Sequence, residues 1–176
     1  TLNRKIQPIY DFNGDISFQK IEKESLANGV EIYHLQNKSQ AICKMDFVFD
    51  AGYAFEKESI VASSMGQLIN KGTKAKTAKE FIESVELLGA YYDSNTGGDN
   101  LTITIYILSS KFREIIPLVL ELFHDALFSE EEVENYRSIQ FQKYLVNQEK
   151  VSFQSNNEFM KLIYPKGHIY LSLIHI

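Results

Sequence analysis

Few residues in this sequence could do chemistry, and their spacing scatters them. The four histidines are His34, His124, His168 and His175, and none has a metal-binding partner three or four residues further on. That spacing is what sets two ligands on one helix face. His34, His124 and His168 therefore read as structural or solvated residues. Cys43 is the single cysteine, so no intrachain disulfide can form. It falls in a strand-like run and reads as a small core or face residue rather than a nucleophile. Glu80, Glu83 and Glu86 recur at helical spacing. They read as the solvent side of a helix, not as paired carboxylates converging on one reacting atom. No glycine-rich phosphate loop or serine nucleophile elbow occurs.

Composition narrows the partners. The chain has 176 residues, 44% hydrophobic and 23% charged, which fits one globular domain with its own core. Its formal net charge is -5, and the densest basic patch is Lys71, Lys74, Lys76 and Lys79, which reads as a solvated loop and helix start. Nucleic acid, whose phosphates demand clustered positive charge, is excluded as a partner. No window approaches the roughly 20 apolar residues of a membrane span, and no signal peptide is visible near Thr1. A cytoplasmic or periplasmic location is expected.

The elements that must position any site follow from local pattern. Residues 1–18 mix Pro8, Gly14, Asn3, Asn13 and Asp11 with aromatics, as an extended arm would. Asn28-Gly29 predicts a hairpin turn joining strands near 20–27 and 30–36, since both positions tolerate positive φ. A third strand is expected at 41–50, where Met45, Phe47 and Phe49 alternate with more polar residues. Helical spacing runs from about 56 to 70, with Gly72 as its left-handed cap. Thr77-Ala78-Lys79-Glu80 is a capping box opening a second helix, which Gly89 ends. Strands at 90–95 and 101–108 meet across Gly97-Gly98-Asp99. A helix over 110–126 contains Pro117, a candidate kink. Ser129 to Glu132 reads as another capping box, opening a helix to 148, and a last helix covers 152–163. Strands and helices come in blocks, which predicts an α+β fold: an antiparallel-rich sheet with helices packed on one face.

These landmarks, taken in order, resemble a known family. Leu26-x-Asn28-Gly29-x-x-x-Tyr33, Ala51-Gly52 with Glu56, Gly72-Thr73, Gly89-Ala90, Phe128-x-x-Glu131 and Tyr164-Pro165-x-Gly167-His168-x-Tyr170 look like the first domain of insulinase and pitrilysin-type peptidases. Mitochondrial processing peptidases belong to that family. The resemblance covers residues 19–170 and implies the family's metallopeptidase-like α/β roll. Active members carry H-x-x-E-H on the helix before Gly-Thr, two histidines binding zinc and the glutamate activating water. Counting back from Gly72-Thr73, those positions are Ser63, Gly66 and Gln67, and the distal glutamate ligand falls at Lys143. The resemblance therefore implies a zinc cofactor, while the residues at its positions imply none.

The expectation is a non-catalytic homologue or subunit. It would pair with an active insulinase-family subunit, or with a second half of the same chain, and enclose an unfolded peptide. The segment Ala90-Tyr91-Tyr92-Asp93-Ser94-Asn95 is the candidate sheet edge for that peptide. Two alternatives stay open: an active zinc peptidase with ligands outside this sequence, and a scaffold subunit of a larger complex. Residues 171–176, Leu-Ser-Leu-Ile-His-Ile, match the translation of a transposon end used in sequencing libraries. They are expected to be a non-native tail, and the domain itself is expected to continue.

Overall fold

The computed structural model describes residues 18–37, 39–57, 60–168 and 171. The expected arm, the expected tail and His175 fall outside these residues, apart from Phe18 and Leu171. The described chain divides into two compact units at Gln40/Ala41.

The first unit is a hairpin of β1 (Glu22–Ser25) and β2 (Glu31–His34), paired antiparallel from Glu22↔His34 to Ser25↔Glu31. Its turn lies at the expected place but is wider than the two-residue turn the sequence predicts: the Leu26 N–H donates to the Val30 carbonyl at 2.8 Å, and Gly29 but not Asn28 has positive φ. Gly29 has φ 87°, a conformation glycine adopts without steric cost. Asn28 Oδ1 accepts from the Val30 N–H at 3.2 Å. Across the strands Lys23 pairs with Glu31 at 2.6 Å, and His34 Nε2 lies 2.9 Å from Glu22. His34 is thus a surface partner in a strand pair, as expected of a structural histidine.

The second unit holds the core. β3 (Ile42–Phe49), β4 (Tyr91–Thr96) and β5 (Leu101–Leu108) form a wholly antiparallel sheet in the order β3-β5-β4. Strict alternation makes β5 two-faced: Leu101, Ile103, Ile105 and Ile107 are buried, whereas Tyr106 and Leu108 are exposed. Cys43, Met45 and Phe47 of β3 pack into the same core. Helices cover that face. α2 (Ala78–Leu87) buries Phe81 and Val85, and α3 (Phe112–Asp125) buries Ile115, Val119 and Leu122. Phe123 meets Phe47 and Phe49 edge-on at 5.0 and 5.4 Å, an arrangement that favours aromatic pairs. The remaining helices are α1 (Val61–Leu68), α4 (Glu130–Gln148) and α5 (Val151–Ile163). α4 packs against α1 and α5.

Several expected details shift. The helix expected from 56 begins at Val61, after a 3-10 turn at Tyr53–Phe55. Gly72 does not cap it: α1 ends at Leu68, while Gly72 has φ 129° and bridges Thr77. The second capping box is half made, with Ser129 accepting from the Glu132 N–H at 3.3 Å. The Thr77–Glu80 box is complete in both directions. α3 runs through Pro117 without interruption. The hairpin and the three-stranded sheet are separate sheets.

Candidate functional site

The motif helix α1 is short, and its start is held by a side chain rather than by a serine or threonine cap. The Glu56 carboxylate accepts from the N–H groups of Ile60 at 3.2 Å and Ala62 at 2.9 Å. These are donors that a helix N-terminus leaves unsatisfied. Ile60, just before the helix, takes φ 73°, which is costly for a β-branched residue. Along α1, the three candidate positions have different surroundings. Ser63 is half-buried and donates its hydroxyl to the Ile60 carbonyl at 3.0 Å. Gly66 is buried and Gln67 is exposed.

Gly66 sits where the helix meets β4. A Cβ there would lie 2.5 Å from Thr96 Oγ1, 2.9 Å from Leu101 Cδ1 and 3.3 Å from Ser94 Oγ. The contact is reinforced by Thr96, whose hydroxyl donates to the Ala62 carbonyl at 3.4 Å. Lys143, the fourth position, is on the neighbouring helix α4 and exposed. With Ile139, Gln142, Val146 and Lys150 it lines a shallow groove of about 380 Å³. The Gly72-Thr73 landmark is a buttress. Thr73 is buried and donates to Glu121 at 2.5 Å, and Lys76 meets the other Glu121 oxygen at 2.5 Å. The Lys76 and Thr73 donors hold the Glu121 carboxyl below its ordinary range.

Three of the four clustered lysines are committed to acids. Besides Lys76, Lys74 reaches Asp125 at 2.8 Å and Lys79 reaches Glu83 at 3.8 Å. Cys43 is half-buried on the core side of its strand, and burial pushes its thiol up. His124 lies in the last turn of α3, and His168 stacks on Tyr164 at 4.6 Å. Among the described residues, no three His, Cys, Asp or Glu gather closely enough to hold a metal.

The candidate edge, Ala90 to Asn95, is a strand one residue later than expected, Tyr91–Thr96, with Ala90 half-buried just ahead of it. Its one neighbour is β5, so its other side is open among the described residues. Gly97 donates to the Asn100 carbonyl at 2.8 Å. Alternation from that bond turns the backbone groups of Tyr91, Asp93 and Asn95 toward β5. Those of Tyr92, Ser94 and Thr96 turn outward. The side chains of Tyr92, Ser94 and Thr96 lie on the core face, half-buried. Burial pushes the Tyr92 phenol up to about 12. Tyr91, Asp93 and Asn95 are exposed on the opposite face. The sequence missed Thr96 and the capping role of Glu56. Only the acidic charge ahead of a helix start hinted at the second.

No described helix is long and apolar enough to cross a membrane. Residues 32–165 match the model of the insulinase family, peptidase family M16. The chain is 22% identical over 129 residues to a probable mitochondrial-processing peptidase subunit beta of Arabidopsis thaliana. It is 23% identical over 110 residues to a protein of Rickettsia bellii described as an uncharacterized zinc protease. These alignments cover 72% and 61% of this chain but 24% and 27% of the relatives, so the chain spans about a quarter of their length. Among solved structures, a peptidase M16 inactive domain from Pseudomonas fluorescens superposes with a TM-score of 0.80 at 19% identity, covering 86% of this chain and 37% of that one. A protease from Helicobacter pylori gives 0.65 at 21% identity, covering 72% and 31%.

Proposed function

The chain belongs to the insulinase family, peptidase family M16, and on that footing we propose that it is a non-catalytic member. It pairs with an active, zinc-bearing subunit, or with a second half of its own chain, to enclose and bind unfolded peptide. The observation that carries this reading is the packing at Gly66. In H-x-x-E-H that position holds the general base. Here a first side-chain carbon would already stand 2.5 Å from Thr96 Oγ1 and 2.9 Å from Leu101 Cδ1, so a carboxylate fits only if those two side chains shift.

The donors at the other positions fit zinc no better. The Ser63 hydroxyl is a poor ligand and is already committed to a carbonyl. A glutamine amide is a weak stand-in for imidazole, and the Lys143 ammonium would repel a dication. No catalytic step is assigned to these residues. What remains useful is β4, whose open side offers backbone donors and acceptors for sequence-tolerant pairing with an extended peptide.

The test is made on purified full-length protein, alone and together with a neighbouring protein that carries intact H-x-x-E-H. Elemental analysis is expected to find no stoichiometric zinc, and the protein alone is expected to cleave no peptide. The two proteins are expected to co-purify, and the second to need the first for full activity. Stoichiometric zinc with chelator-sensitive cleavage by this protein alone would overturn the proposal, as would full activity of the neighbour without it.

A further inference from the structure

The Asn28-Gly29 pair sets an electrophile beside a nucleophile at an exposed turn. The electrophile is Cγ of the Asn28 side-chain amide, and the nucleophile is the Gly29 backbone nitrogen. Glycine has no Cβ to crowd that nitrogen, and a Cβ built there would meet nothing within 4 Å. The Asn28 side chain is folded back along the chain, with Oδ1 accepting from the Val30 N–H at 3.2 Å. Such an Asx turn polarises the amide carbonyl and keeps Cγ over the Asn28-Gly29 peptide.

One contact opposes attack: the Gly29 N–H donates to the Leu26 carbonyl at 2.9 Å. Yet β1 and β2 pair only with each other among the described residues, and β1 and the turn are exposed throughout. A two-stranded hairpin is marginal by itself, so this bond opens in local fluctuations. Elsewhere the same chemistry is hindered. Every other described asparagine precedes a residue that has a side chain. Asn95, Asn135, Asn147, Asn156 and Asn157 also lie within β4, α4 or α5, where regular structure restrains the backbone.

We propose that Asn28 is a site of spontaneous deamidation, through a cyclic succinimide with Gly29, and that its conversion loosens the hairpin. The Gly29 nitrogen loses its proton to solvent and attacks Asn28 Cγ. A nitrogen–carbon bond forms, the Cγ–Nδ2 bond breaks, and ammonia leaves with a proton from solvent. Water then opens the ring at either carbonyl, giving aspartate or an isoaspartate through which the backbone runs by way of Cγ. The net reaction consumes one water, releases one ammonia and involves no change of oxidation state. Either product adds a carboxylate to a hairpin that already carries Glu22, Glu24 and Glu31. Isoaspartate also lengthens the loop by one backbone carbon, which misaligns the Leu26–Val30 bond that closes it.

The test incubates the purified full chain at mildly alkaline pH beside a synthetic peptide of residues 25–32. Peptide mapping by mass spectrometry, with isoaspartate methyltransferase labelling, reads each asparagine separately, including Asn13 ahead of Gly14. Aspartate and isoaspartate are expected to accumulate at Asn28 before any other described asparagine, and faster as pH rises, because the attacking nitrogen must lose its proton. The folded chain is expected to convert roughly two- to tenfold more slowly than the peptide, the span that one net backbone hydrogen bond gives. Asn28→Gln should abolish the signal, because the ring it would close is one atom larger. In hydrogen exchange the converted chain should lose protection at the Leu26 N–H. Asn28 left intact in the folded chain after the peptide has converted fully would overturn the site, as would earlier conversion of another described asparagine. Leu26 protection that survives full conversion would overturn the loosening.

Discussion

Adding one methyl group at position 66 is the smallest change that probes the motif helix. In an exposed helix, Gly→Ala would stabilise by about 1 kcal/mol. Here the new carbon meets Thr96 and the fully buried Leu101. The Thr96 hydroxyl can rotate, but Leu101 has nowhere to retreat. Gly66→Ala is therefore expected to lower stability by about 1–3 kcal/mol, in the range of overpacked cores, as read from urea unfolding followed by circular dichroism. A midpoint equal to or above the native one would show that β4 yields easily. Rebuilding the motif by combining Ser63→His, Gly66→Glu and Gln67→His would then become sterically feasible. Counting from Gly72-Thr73 assigns the motif positions to Ser63, Gly66, Gln67 and Lys143. The contact that fills the space at Gly66 was not legible, because it joins α1 to a strand some thirty residues away and leaves no local pattern.

At the scale of elements, two carboxylates fasten helices to loops. Glu56 holds the first N–H groups of α1 in place of a usual capping residue. Its replacement by alanine is expected to cost about 1–2 kcal/mol, as loss of a strong cap does, and the loss would appear in thermal or urea unfolding. Glu121 ties α3 to the Thr73–Lys76 loop. Its folded-state pKa lies below the ordinary 4.5, so its contribution is full above that value and is lost as pH falls through the lower, folded value. Glu121→Gln should therefore be less stable than the native chain at pH 7, with the difference narrowing below about pH 4.5. A difference that stays constant across that range would show the pair to be inert. Element types read well from periodicity and caps: the hairpin around Gly29, though not its two-residue turn, the Thr77–Glu80 box and the alternation of β5 all correspond to observed structure. Boundaries read less well where a distant or unusual group decides them. Apolar spacing from residue 56 onward looked helical, yet Glu56 acts as an acceptor ahead of α1 and Ile60 turns left-handed.

For the whole molecule, block order announced an antiparallel sheet covered by helices on one face, but strand pairing was beyond reach. β3 and β4 never touch in the sheet, and both depend on β5, which comes last of the three in the chain. Such a partner choice lives in contacts far apart in sequence. The helices farther along are less enclosed: α4 has no buried residue, and Phe141, Val146, Phe159 and Leu162 are exposed. The open side of β4 has a consequence for amide hydrogen exchange. β5 is bonded on both flanks, so its amides should be the slowest in the protein. Along β4 protection should alternate residue by residue: slow at Tyr91, Asp93 and Asn95, which face β5, and fast at Tyr92, Ser94 and Thr96, which face outward. A peptide seated on that side would erase the alternation by slowing the second set alone, a signature that a ligand resting on either face of the sheet could not produce.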